Sequence, residues 1–110
     1  MKIKIDMIDD DMFFFYGKYG WDKYKRKLKQ ISGFSKEDLK EKMPTSKDSG
    51  RCAVNIMWVR DKKNIKVILH ELSHLIDHFM DHLSAEDETE FRAFLTEYIG
   101  GRIFKKVLKK

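Results

Sequence analysis

Cysteine, proline and long apolar runs are scarce in this chain of 110 residues, which has one cysteine and one proline. A lone Cys52 cannot form an intrachain disulfide, so a small disulfide-stapled secreted fold is excluded. No window approaches the ~18 consecutive apolar residues of a transmembrane helix, and the alternating start of the chain lacks the unbroken apolar segment of a signal peptide. We therefore expect a cytoplasmic protein that has no membrane partner.

Hydrophobic residues make up 42% of the chain and aromatic residues 13%, which is enough for the core of one compact domain. The net charge of +5 raises nucleic acid as a partner, because a basic surface attracts phosphates. Basic residues concentrate in 18–29 and 102–110, whereas 77–97 holds seven acidic residues and one basic residue. Since most lysine-rich helix faces are simply solvated, we favour a peptide or protein as the partner over nucleic acid.

The first part of the chain predicts one strand and two helices. Residues 1–8 alternate apolar with polar side chains, which is typical of a half-buried strand. Apolar residues recur every three or four positions through 21–31, so we predict an amphipathic helix that ends at Gly33. Ser35 and Asp38 have the spacing of a helix N-cap, which predicts a short second helix.

Two further segments of the first half are less regular. The aromatic run in 9–17 is compatible with a second strand or with a packed loop, because its pattern has no clear period. Residues 43–50 contain the only proline, Pro44, together with serines and Gly50, and we predict a loop there.

The second half of the chain predicts a strand followed by two helices. Residues 52–59 are rich in β-branched and aromatic side chains, and we predict one strand over them. An apolar stripe with helical spacing runs through 64–83 and another through 91–99, so both segments are predicted to be helices. The last helix can continue towards the C-terminus, with a bend at Gly100 and Gly101.

These elements predict an α+β fold in which a small sheet packs on the helix over 64–83 and on the C-terminal helix. We expect a single domain over residues 1–110. Its N-terminal strand and helices come from 1–50, and the following strand and the two long helices come from 51–110.

All four histidines of the chain lie between His70 and His82, and His70, Glu71 and His74 form the pattern H-E-x-x-H. Residues four apart lie on the same face of a helix, so the imidazoles of His70 and His74 can ligate one zinc ion. Glu71 is offset from that face, where it can act as general base towards a zinc-activated water that attacks a peptide carbonyl. The pattern therefore predicts a zinc cofactor and peptide hydrolysis.

A solvated polar helix face is the alternative explanation, because His70 and His74 lie almost opposite the apolar stripe. Catalytic zinc usually has three protein ligands, so a zinc site needs a further side chain from outside this helix. His78 and His82 are excluded as ligands, since they lie too far along the helix axis. The start of the last helix offers four acidic candidates, which are Glu86, Asp87, Glu88 and Glu90. Helix-dipole stabilisation is a sufficient explanation of the first two, whereas the last two remain open as ligands.

The segment VILHELSHLIDHFM, followed by EDETEFRAFLTEYIGGRIF, resembles the small HExxH zincins of phages and prophages, which are similar to gluzincin peptidases of the ImmA/IrrE kind. The resemblance covers residues 51–104 and implies a minimal zincin-like domain. In that family a later helix supplies the third zinc ligand from the pattern E-x-x-A-[FY]-L, which EFRAFL matches here. The resemblance therefore implies a zinc metallopeptidase with His70, His74 and Glu90 as metal ligands and Glu71 as the catalytic residue.

Two other functions stay open beside this one. The first is a zincin-fold protein of phage type that binds a host target in counter-defence without proteolysis. The second is a basic nucleic-acid-associated domain with an incidental H-E-x-x-H.

Three further features each have a structural and a functional explanation. The strand 53–59 is either a core strand or a sheet edge that pairs with a peptide substrate. Cys52 is either a small buried hydrophobe or a thiolate ligand. Tyr98 is either a core aromatic or a hydrogen-bond donor to an oxyanion.

Overall fold

The computed structural model describes residues 1–31, 35–42, 45, 47–83 and 88–108. The helices and strands in these ranges are β1 (Lys2–Ile5), β2 (Asp10–Tyr16), α1 (Gly17–Gln30), α2 (Lys36–Lys42), β3 (Gly50–Ala53), β4 (Ile56–Val59), α3 (Ile65–His82) and α4 (Thr89–Val107). A single 3-10 turn at Asp6–Ile8 connects β1 to β2. The predicted α+β fold class is confirmed.

The four strands form one mixed sheet in the order β1-β2-β4-β3. β2 is antiparallel to β1 and parallel to β4, and β3 pairs with β4 in an antiparallel hairpin. All four residues of β4 are buried, which explains its uninterrupted apolar sequence IMWV. In β1 only Ile3 and Ile5 are buried, so the alternation in the sequence marks a strand with one covered face.

Helices cover both faces of the sheet, and each face has its own core. On one face Tyr24 and Leu28 of α1 pack against Ile56 and Trp58 of β4. On the other face the alternate β4 residues, Met57 and Val59, join a larger core with α3 and α4. The molecule therefore has three layers, and α1 is separated from α3 by the sheet.

The two long helices form as their apolar stripes predict. Asn64 caps α3 by accepting a hydrogen bond from the backbone N–H of Val67 at 3.3 Å. α4 is continuous through Gly100 and Gly101, and a Cβ at Gly100 would lie 3.2 Å from Leu72 Cδ2 of α3. The glycine at position 100 therefore allows the two helices to approach each other closely.

The segment predicted as one strand over 52–59 is a hairpin, so that prediction is wrong. β3 begins at Gly50, inside the predicted loop, and the chain reverses at Val54 and Asn55. Val54 adopts φ +55°, a conformation that β-branched residues rarely take. The side chain of Asn55 donates to the backbone carbonyl of Asp11 at 2.8 Å, so a tertiary contact holds a turn that contains no glycine or proline.

The short elements agree with the sequence where the structure describes them. Ser35 and Asp38 form a reciprocal cap at α2, in which the backbone N–H of Asp38 donates to Ser35 Oγ at 3.0 Å. The aromatic run forms β2 and leads directly into α1. α1 ends at Gln30, and the predicted helix end at Gly33 lies outside the described residues. Within the described ranges no helix is long and apolar enough to cross a membrane.

Candidate metal centre and its groove

His70 and His74 lie on the exposed side of α3, and their imidazoles converge. Their Nε2 atoms are 3.2 Å apart, and the two rings are nearly perpendicular at 83°. Two nitrogens bound to one tetrahedral zinc at about 2.0–2.1 Å are separated by roughly 3.3 Å. The two nitrogens therefore match the spacing of two zinc ligands, and at 3.2 Å they are also within hydrogen-bonding distance of each other.

Glu71 turns away from the solvent that surrounds the histidines and is only 6% exposed. Its Oε1 atom lies 3.9 Å from His70 Nε2, beside the paired imidazoles. Burial raises the pKa of this carboxyl above its ordinary value, and the nearby His70, His74 and Arg51 side chains oppose that rise. A buried carboxylate whose pKa moves towards neutrality is suited to accept a proton at physiological pH.

Gly50 sets the distance between α3 and the edge strand β3. A Cβ at this position would lie 2.7 Å from Val67 Cγ1 and 2.9 Å from Glu71 Cγ. Both contacts are shorter than carbon atoms tolerate, so a larger residue would push the helix off the strand. The glycine thus places Glu71 directly against the strand.

A groove of about 430 Å³ separates the helix from the edge of the sheet. Its lining residues are Asp48, Gly50, Arg51, Cys52 and Val54 on the strand side, and His70, Glu71, His74 and His78 on the helix side. In the described part of the chain, β3 pairs only with β4, so its outer edge borders the groove. The edge expected over 53–59 therefore belongs mainly to β3, since β4 is an inner strand.

Arg51 and Asp48 are groove residues that the sequence reasoning missed. Arg51 Nε lies 3.1 Å from Asp48 Oδ2, and an Arg51 guanidinium N–H donates to the backbone carbonyl of Glu41 at 2.9 Å. The guanidinium is close enough to Glu71 to favour its ionised form. No motif marks either residue, because their position follows from a hairpin that the sequence did not predict.

Cys52 lies in the groove as a neutral thiol. Burial raises its pKa to about 12, and the negative charge of Glu71 adds to the rise. A thiol with this pKa carries almost no thiolate at neutral pH, and the thiolate is the form that binds metal. This environment favours the structural explanation of Cys52 over the ligand explanation.

No third ligand joins the imidazoles within the described ranges, where groups of three or more His, Cys, Asp or Glu with metal-binding proximity are absent. Glu88 and Glu90 are exposed at the start of α4, and Glu86 and Asp87 lie outside the described residues. The first turn of α4 meets α3 through Arg92 and Asp77, whose side chains are 2.6 Å apart. The structure therefore brings together His70, His74 and Glu71, but not Glu90.

The register of the two helices identifies another carboxylate, Glu97. α4 is antiparallel to α3, since Arg92 reaches Asp77 while Gly100 contacts Leu72. Glu97 lies between these two contacts on α4, as His74 does on α3. Glu97 is exposed and lies seven residues after Glu90, which places both on the same side of the helix. The match of EFRAFL to the family pattern predicts Glu90 as the ligand, whereas no sequence pattern marks Glu97.

Comparisons with protein-family profiles, curated proteins and solved structures give no match. The candidate site therefore rests on its own geometry, which is a pair of converging imidazoles, a buried carboxylate and the edge of a sheet.

The remaining candidates do not join the imidazole pair. Tyr98 donates a hydrogen bond to the backbone carbonyl of Lys4 at 3.1 Å, so it ties α4 to β1 and supports the structural explanation of this residue. His78 lines the groove, and burial lowers its pKa. His82 stacks on His78 with ring centroids 6.1 Å apart, one turn farther from the paired imidazoles.

Proposed function

We propose that this protein is a zinc-dependent metallopeptidase of the small HExxH type that acts on peptides or proteins in the cytoplasm. In this proposal His70 and His74 are zinc ligands, Glu71 is the general base, and a carboxylate of α4 completes the zinc site. The resemblance assigns that third position to Glu90. The observation that carries the proposal is the 3.2 Å separation of the two Nε2 atoms beside a buried carboxylate.

Zinc bound by these imidazoles would supply Lewis acidity and lower the pKa of a water molecule to about 7. Glu71 is placed to take up the proton, since its carboxyl lies next to His70 and its pKa is raised by burial. The same carboxyl can return the proton to the leaving amine. The chain therefore supplies a carboxyl base directly beside the paired imidazoles.

The outer edge of β3, which pairs with no strand other than β4 in the described ranges, supports a peptide as the substrate. An extended peptide can add to an exposed strand through backbone hydrogen bonds, which places its carbonyl groups along the strand. Because Gly50 holds Glu71 against this strand, a peptide bound there would pass beside the histidines. The resemblance to HExxH zincins supports the same orientation of substrate and helix.

Metal analysis tests the proposal directly. We expect wild-type protein purified without chelator to contain about one zinc per chain, and His74→Ala to contain almost none. Glu71→Gln is the matched control, because it should retain zinc and lose hydrolysis of a peptide library. Absence of zinc from the wild type, or equal zinc in His74→Ala, would contradict the proposal.

The third ligand is tested by replacing one carboxylate at a time. If Glu90 is the ligand, Glu90→Gln lowers zinc affinity at least tenfold, while Glu88→Gln and Glu97→Gln bind zinc like the wild type. Competition with a fluorescent zinc chelator measures the three affinities. If only Glu97→Gln lost zinc affinity, Glu97 would be the third ligand instead of Glu90. The helix register brings Glu97 level with His74.

A zincin-fold binding protein without peptidase activity is the second candidate. It is favoured by one observation, which is that no third acidic or histidine side chain joins the imidazoles in the described ranges. For such a protein, Glu71→Gln would leave target binding unchanged, and the wild type would cleave no peptide even when loaded with zinc.

A further inference from the structure

The surface formed by α1 and the end of β4 lies on the opposite side of the sheet from the histidines. α1 packs on the core of Tyr24, Leu28 and Trp58, whereas α3 belongs to the other core. A function of this surface is therefore physically independent of the metal centre.

Three lysines follow one side of α1 next to an aromatic ring. Lys18, Lys25 and Lys29 have spacings of seven and four residues, which place them on one helix side together with Trp21. Lys18 and Lys29 are exposed, and Lys25 Nζ lies 5.6 Å from the Trp21 ring. α1 as a whole has six basic residues against one acidic residue, Asp22, so its field is strongly positive.

Trp21 borders a cavity of about 500 Å³ at the start of this row. The cavity is lined by Gly17, Lys18, Trp21, Asp22, Trp58 and Arg60. The Arg60 guanidinium carbon lies 5.4 Å from the Trp21 ring centre, and the Trp21 ring meets Trp58 edge-on. The backbone carbonyls of Asp48 and Thr45 accept hydrogen bonds from Arg60, so this cation is held in place beside the aromatic wall.

We propose that this surface, the α1 track of Lys18, Trp21, Lys25, Lys29 and Arg60, binds single-stranded nucleic acid. The lysine row matches a chain of phosphates, and the partly exposed indole beside the cavity offers a stacking platform for one base. A duplex keeps its base faces stacked inside the helix and cannot use that platform. Charge complementarity and the aromatic wall together select a single strand.

Fluorescence anisotropy of the full-length protein with a labelled single-stranded DNA of about 12 nucleotides tests the proposal. Affinity should fall as salt rises from about 50 to 200 mM, and Lys18→Ala/Lys25→Ala/Lys29→Ala should reduce the slope of log K against log salt by about 2. The matched control removes the same charge from the other face, with Lys66→Ala/Arg102→Ala/Lys105→Ala, and should retain the wild-type affinity and slope.

The stacking contact has its own test. Trp21→Leu should weaken binding roughly 5- to 150-fold, and Trp21→Phe should restore most of it, because a phenyl ring still stacks. Far-UV circular dichroism and thermal unfolding verify that both variants are folded. The proposal would be overturned if the wild type bound duplex DNA or a mononucleotide as tightly as the single strand. It would also be overturned if the lysine variant and the control variant bound the single strand with equal affinity.

The metal centre can be separated from this result in the same experiment. Binding to the α1 track should be unchanged by EDTA and by Glu71→Gln, since neither reaches the α1 side of the sheet. Loss of nucleic-acid binding in EDTA would overturn the proposal for the α1 track. Absence of zinc from wild-type protein purified without chelator would overturn only the proposed peptidase.

Discussion

Glu71 and Val54 show how single residues near the groove depart from the environments their types prefer. Glu71 is a carboxylate at 6% exposure, and Val54 is a β-branched residue in the left-handed backbone region. Each departure costs stability in the absence of a ligand. Such costs are commonly retained where a site requires them, which agrees with the position of both residues at the groove.

The buried carboxyl of Glu71 predicts a specific pH dependence of stability. Its pKa in the folded protein is raised above the ordinary value of 4.5, so folding favours the protonated form. The associated stability is complete below pH ~4.5 and is lost as pH rises through the folded-state pKa. In chelator, Glu71→Gln should therefore unfold at a higher temperature than wild type at neutral pH, and the two should converge near pH 4.

Thermal unfolding from pH 4 to pH 8 measures this difference. Glu97→Gln, which changes an exposed carboxyl, is the control and should show no pH-dependent gain. A Glu71→Gln variant that is less stable than wild type at every pH would show that the charged carboxylate is stabilised rather than strained.

Replacement of Val54 is expected to relieve backbone strain. A left-handed conformation costs an L-residue about 1–2 kcal/mol, and asparagine tolerates it better than valine. Val54→Asn should therefore increase the free energy of unfolding by about 1 kcal/mol, as measured by urea denaturation. Val54→Ile keeps the β-branch and should give no gain; equal stability of the two variants would indicate that strain at this turn is negligible.

At the scale of elements, the sequence predicts the helices well because their apolar stripes are long. The stripes of α1, α3 and α4 each recur over several turns, and most of the buried helix residues lie on them. Leu69 of α3 and Phe94 of α4 are stripe residues that the fold leaves exposed. The β3–β4 hairpin is missed because Asn55 is the one turn-favouring residue at its reversal, and the β-branched Val54 beside it is typical of a strand. Prediction of the groove fails for the same reason, since the hairpin places Arg51, and Asp48 just before it, on the groove wall opposite the histidines.

The contact between β3 and α3 predicts the effect of Gly50→Ala. The added Cβ would lie under 3 Å from Val67 Cγ1 and Glu71 Cγ, and neither atom is the free end of a flexible side chain. We expect a loss of about 1–3 kcal/mol in unfolding free energy, together with weaker zinc binding as α3 moves from the strand. Gly101→Ala is the matched control, because a Cβ there meets no atom within 4 Å, and it should be neutral or slightly stabilising. Equal effects of the two substitutions would show that β3 and α3 are not in tight contact.

At the scale of the whole molecule, the candidate metal ligands lie outside both hydrophobic cores. Two cores on opposite faces of the sheet bury aromatic and aliphatic side chains, whereas the His70 side chain is 69% exposed. A structural zinc site, in contrast, supplies the folding energy that a small core lacks. Because the histidine pair contributes nothing to either core, we expect the molecule to fold without metal.

This arrangement predicts that zinc raises the unfolding temperature of a protein that is already folded in chelator. Binding at a zinc concentration of about 100 times Kd adds roughly 2.7 kcal/mol, which corresponds to an increase of roughly 10 °C for a domain of this size. Differential scanning calorimetry in EDTA and in excess zinc measures the shift. His70→Ala/His74→Ala should unfold in EDTA at nearly the wild-type temperature, because both imidazoles lie outside the cores, but should show no increase with zinc. Cooperative unfolding of the wild type on addition of EDTA at 25 °C would instead assign the metal a structural role, and the buried carboxylate beside it would then lose its explanation as a catalytic base.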